Sequence, residues 1–321
     1  MRNYFFALLT LVGIAGCRKD AGELPYQKLY PPANITYRDV QVLENGTILI
    51  CGGDQENGVI FRSIDKGNSW IVSSSFFGDP INTLFFLNEN VGFAADNDIL
   101  IFKTYNGGYT WEQFYDTQWP LTVNRNLRNI WFSDDSTGFV CGGKNYGNGV
   151  IYSTINQGAD WTFSEYDHEL RGICFTDDHH GVICGYGTIM VTADAGKTFT
   201  FLESPTDYFT GIDKDEMGTM WMCGFNGKIY SSIDHGNNWN KHREGTAWNI
   251  AGNQLNCIDL SPGGKIACAG PNGFITWSAD KGSTWSNKTS FEGHDILSIK
   301  WLSENELIAV GKSGGVYKVV L

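Results

Sequence analysis

The sequence predicts an all-β protein folded as a single seven-bladed β-propeller. Three observations carry this. An eight-residue phrase, Ser-Ile-Asp-Lys-Gly-Asn-Ser-Trp from Ser63 to Trp70, returns at Thr104, Thr154, Thr192, Ser232 and Ser278 as Ser/Thr-x-Asp/Asn-x-Gly-x-polar-aromatic. Neighbouring copies lie about forty residues apart, the spacing of propeller blades. Each copy follows a strand–turn–strand pattern, and that pattern occurs once more, at Leu307–Gly311 and Gly315–Lys318, without the phrase. The stretch from Pro25 to Tyr30 precedes the first full blade and supplies the missing outer strand of the seventh. Closure of this kind removes exposed sheet edges. Six blades with a loose tail is the alternative.

In chain order, the first element is a targeting segment. Arg2 gives a positive start, Phe5 to Ile14 form a short apolar stretch, and Ile14-Ala15-Gly16-Cys17 ends it. The stretch is too short for a stable transmembrane helix. It resembles a bacterial lipobox, which implies residues 1–16 as a signal peptide and lipidation at Cys17. Residues 17–23 then form a lipidated tether, and 24–321 the propeller. The alternative is an ordinary signal peptide. No Asp directly follows Cys17, so the expected location is the outer membrane, facing the periplasm or the cell surface.

The repeated phrase is turn chemistry. Asp65, Asn106, Asn156, Asp194, Asp234 and Asp280 occupy a position where Asp and Asn hydrogen-bond their own downstream backbone. A glycine two positions on in all six copies supplies a positive φ. The leading hydroxyl closes a second bond, and the final aromatic packs on the sheet. Amides stand among the six, so neither catalysis nor metal binding is the shared role. The phrase resembles the Asp-box (BNR) repeat of sialidases, sortilin-type receptors and related propellers.

Cys51, Cys141, Cys184, Cys223 and Cys268 fall at one place in five blades, as a small buried side chain rather than a disulfide framework. Cys174 with Cys184, or Cys257 with Cys268, could face each other across a hairpin. There is no Cys-x-x-Cys motif, and His179-His180 reads as a solvated turn. No metal or cofactor is expected. The formal charge of −12 argues against general nucleic-acid binding, which needs a basic footprint.

Function is sought in what varies between blades. The variable loops carry Phe76-Phe77, Tyr115 with Trp119, Tyr146, Tyr166, Tyr208-Phe209, Trp248 and Phe291. Exposed aromatics suit protein or sugar binding; covering the blade ends is the alternative. The seven inner strands also align. Their second position holds Arg38, Asn82, Arg128, Arg171, Thr210, Asn256 and Leu297, near the channel mouth. Three Arg and two Asn converging there would hold a carboxylate, phosphate or sulfate. The competing reading packs the Arg stems between blades with their heads paired to Asp39 or Glu169.

The single propeller, its repeated turns and the inner-strand arginines resemble the photosystem II assembly factor (Ycf48-like) group. That resemblance implies a non-catalytic scaffold binding a protein partner through an Arg patch, matched here by Arg38, Arg128 and Arg171. The expected site is thus Arg38, Asn82, Arg128, Arg171 and Asn256 with Trp119, Tyr208 and Trp248. The alternatives are a glycan-binding lipoprotein or a sialidase-like glycoside hydrolase. The Arg trio suits the last, but the Phe/Tyr-Arg-Ile-Pro start is absent, Phe61-Arg62-Ser63 being a different context. No catalytic residue is assigned. Expected partners are a protein or glycan ligand in the cell envelope and the membrane through Cys17, with no nucleic acid and a monomeric state.

Overall fold

The structure, a computed structural model, describes residues 24–55, 57–114, 125–203, 207–245 and 254–321. Cys17, Trp119 and Trp248 lie outside them. Among the described residues no helix is long and apolar enough to cross a membrane.

Seven four-stranded antiparallel sheets form the seven blades. Six are simple meanders running from an inner to an outer strand, starting at Tyr37, Ile81, Asn126, Leu170, Phe209 and Cys257. The seventh takes three strands from 296–320, and Tyr26–Lys28 completes it by pairing with Val316–Val320. The two chain ends thus close the ring as the repeat pattern requires.

The six turns have one geometry. The leading hydroxyl accepts from the amide of Gly67, Gly108, Gly158, Gly196, Gly236 or Gly282 at 2.8–3.0 Å. The Asp or Asn side chain accepts from the amide four residues on at 2.8–3.0 Å. Asn106 and Asn156 do this as well as the aspartates, so the role needs an oxygen and not a charge. A side chain at these glycines would strike the preceding blade: Gly108 faces Leu49, Gly158 faces Phe93 and Gly236 faces Val182. Each turn therefore docks its blade onto its neighbour as well as reversing the chain.

The cores lie between blades. Cys51, Cys141, Cys184, Cys223 and Cys268 are all buried, and every described cysteine is a free thiol. The strand register sets Cys174 opposite Val182 and Cys257 opposite Ala269, which excludes both hairpin pairings. Two of the loop aromatics, Phe209 and Phe291, are fully buried core residues. Phe76 packs on Phe102 at 4.2 Å. None of the three offers an exposed ring.

Candidate ligand site at the channel mouth

The inner strands surround an axial channel of about 300 Å³. A β-bulge sets which side chains enter it. In six blades the strand pairing skips the second position, between Tyr37 and Asp39, Ile81 and Thr83, Leu127 and Asn129, Leu170 and Gly172, Phe209 and Gly211, and Ile296 and Ser298. A bulged residue leaves the ladder and is re-aimed. Arg38, Asn82, Arg128, Arg171, Thr210, Asn256 and Leu297 all line the channel. The glycine after the repeated cysteine makes room for the bulge. A Cβ on Gly52 would lie 2.0 Å from the Thr36 carbonyl, and one on Gly185 2.1 Å from that of Glu169. This mouth opens opposite the face of the repeated turns, since the bulge lies at the start of each inner strand.

The ring divides in two. Asn82 Nδ2 donates to the Leu127 carbonyl at 2.8 Å, Thr210 Oγ1 to that of Leu255 at 2.6 Å, and Asn256 Nδ2 to that of Ile296 at 2.7 Å. Each acceptor is the first inner-strand position of the following blade. These three side chains are inter-blade clasps. Asn82 Nδ2 donates to Asn97 Oδ1 as well, at 3.1 Å.

Arg38, Arg128 and Arg171 make no such clasp. Arg171 Nη1 donates to Glu169 Oε1 at 3.0 Å, and Arg128 Nη2 lies 3.7 Å from the same oxygen. Glu169 is buried, and its other oxygen accepts from the Tyr146 amide at 3.0 Å. Turning the Asn126 amide so that its oxygen faces Arg128 Nη2 gives a 2.7 Å bond there. Asp39 pairs with neither Arg38 nor any other described arginine. It accepts from the amides of Val40 and Leu84 and from Ser298 Oγ, which ties three blades together. Among the described residues no carboxylate lies within ion-pair distance of Arg38. Glu169 therefore balances Arg128 and Arg171 together, while Arg38 feels the charges of Asp54 and Asp79 without an ion pair to either. Desolvation, and next the charge of Arg171, push Arg128 down to about 10, and desolvation lowers Arg38. The buried Nε atoms of Arg38 and Arg128 have no partner. A mouth with surplus, partly desolvated positive charge and free donors is built to take an anion.

An aromatic cluster borders the arginines. Tyr146, Tyr186, Tyr208 and Phe225 come from blades 3 to 5 and the connection between blades 4 and 5, with ring centroids 5.1–6.3 Å apart. Arg171 lies 5.1 Å from the centre of the Tyr186 ring. Tyr146 and Tyr208 are 63% and 44% exposed, so the cluster presents apolar surface beside the charge. Tyr208 was expected in the site; Tyr186 and Phe225 were not. Both directly follow the bulge-facing glycine, and that register was the available signal. Burial raises the Tyr186 hydroxyl pKa, the reverse of what a tyrosine nucleophile requires.

No family model matches the sequence, and no curated protein matches it. Solved structures do. A YCF48 bound to a D1 peptide superposes with a TM-score of 0.70 at 19% identity, over 92% of this chain and 97% of that one. Virginiamycin B lyase from Staphylococcus aureus, in a catalytically inactive form with quinupristin, gives 0.71 at 12% identity, over 93% and 100%. The WD40 β-propeller domain of Doa1 gives 0.68 at 14% identity, over 92% and 97%. At such identities the likeness establishes the propeller. An enzyme and binding proteins share it, so function has to be argued from the site.

Proposed function

We propose that the protein is a non-catalytic scaffold that binds a carboxylate-bearing protein segment at the arginine mouth. The carrying observation is that Arg38, Arg128 and Arg171 line one mouth, with Glu169 the ion partner of the last two and no ion pair for Arg38 among the described residues, next to exposed Tyr146 and Tyr208. A carboxylate takes the unpartnered guanidinium donors while neighbouring apolar side chains lie on the rings. The peptide-bound YCF48 neighbour supports this reading. Lipidation at Cys17 would hold the domain at the outer membrane, and the six turns would be Asp-box repeats.

Titration with short peptides, each with a free and an amidated C-terminus beside acidic and neutral sequences, tests the proposal. Binding that needs a carboxylate and disappears in the Arg38, Arg128 and Arg171→Ala triple variant supports it. Binding indifferent to all three arginines sinks it. The exposed tyrosines also suit an acidic sugar, and a glycan array with the same two proteins decides between the readings.

A further inference from the structure

The face opposite the arginine mouth carries a cluster that the ligand site does not use. Asp177 and His180 sit in the turn between the inner and second strands of blade 4. His235 sits in the repeated turn of blade 5. With His179, three of the chain's six histidines are in these two turns. The His180 and His235 rings stack across the blade boundary with centroids 4.2 Å apart and planes 25° from parallel.

We propose that Asp177, His180 and His235 form a zinc-class divalent metal site bridging blades 4 and 5. Both oxygens of Asp177 take part, and His180 Nδ1 lies 3.0 Å from Oδ1 and 2.9 Å from Oδ2. Oδ1 accepts from the amides of His179 and His180 at 2.8 and 2.6 Å, which fixes the carboxylate in the turn. Oδ2 faces the two rings, 2.9 Å from His180 Nδ1 and 3.8 Å from His235 Nδ1. One ligand atom from each of the three lies within 4.8 Å of the others. Bonds of about 2.0–2.1 Å in a tetrahedral zinc site set ligand atoms about 3.3 Å apart. The two Asp177 separations bracket that value, and on binding the stacked rings turn so that a nitrogen of each points at the ion.

The donor chemistry fits. Two imidazoles and a carboxylate are a zinc-type set, with the fourth position left to water. The Asp177 carboxylate accepts from two backbone amides, which holds it in place as a ligand. Thr176 Oγ1 lies 2.7 Å from His235 Nδ1 and holds the ring against blade 4. Binding exchanges that contact for the metal, and His180 binds through Nδ1 with its hydrogen carried on Nε2.

The backbone also provides clean variants. His235 has a φ of 60°, which Asn tolerates well. His180 occupies the place that Thr137 takes in blade 3, where Asp134 makes the same turn bonds. Zinc chloride alone is titrated into the tag-free protein by calorimetry, followed by melts with zinc and with EDTA. The expected result is one equivalent bound and a higher melting temperature with zinc. His180→Thr and His235→Asn each weaken binding about tenfold or more, with EDTA melts unchanged, while His168→Gln binds as the parent does. No zinc uptake, or uptake that survives the double variant, overturns the proposal.

Discussion

Blades 2, 5 and 6 and blades 1, 3 and 4 use the same inner-strand position for opposite ends. In the first set Asn82, Thr210 and Asn256 reach one bond outward to a neighbouring carbonyl. In the second, Arg38, Arg128 and Arg171 make no bond to that carbonyl, and their charge gathers at the mouth. The channel-lining position is common to both. Side-chain length there decides whether a blade is fastened to its neighbour or offers charge to a ligand. The difference teaches that one repeated frame can divide strength and recognition among its blades without changing its architecture.

The largest expected effect lies inside the arginine set. Arg128 and Arg171→Ala together leave Glu169 buried without a cation, which costs about 3–5 kcal/mol and shows as a lowered denaturation midpoint. Adding Glu169→Gln restores much of that loss. Next comes a clasp. Asn256→Ala orphans the Ile296 carbonyl, costs about 1–3 kcal/mol and leaves anion binding intact; chemical denaturation beside a binding titration checks both halves.

The clasped side also carries a pH effect. Asp96, whose carbonyl is the more distant acceptor for Asn82, is pushed up to about 7, chiefly by burial. Between about pH 4 and pH 7 the folded protein keeps a proton that the unfolded chain has lost. Stability therefore falls as pH rises through this window. Asp96→Asn keeps the Oδ1 acceptor for the Asp98 and Leu100 amides. It should raise the melting temperature more at pH 8 than at pH 5.

The fold was open to reading from the sequence because the six turns keep one phase and the chain ends supply complementary strands. The position-two ring was readable for the same reason. Its division was not, because a clasp depends on where the backbone aims a short side chain in three dimensions. Glu169 was among the expected partners and does hold Arg128 and Arg171, but Asp39 bonds backbone amides and Ser298 instead. Phe209 and Phe291 looked like loop aromatics because the packing that buries them leaves no mark in composition. His235 meets His180 only through the docking of one blade on the next.

Arg38→Ala has the smallest expected effect on stability and tests the central claim most directly. It should be measured beside Asn256→Ala by calorimetric titration with a peptide that the parent binds through a free carboxylate. Arg38 has no described carboxylate partner, so its loss should leave the melting temperature within about 1 °C while weakening peptide binding about tenfold. Asn256→Ala should do the reverse. Unchanged peptide affinity in the Arg38 variant, or lost affinity in the Asn256 variant, would contradict the division of labour.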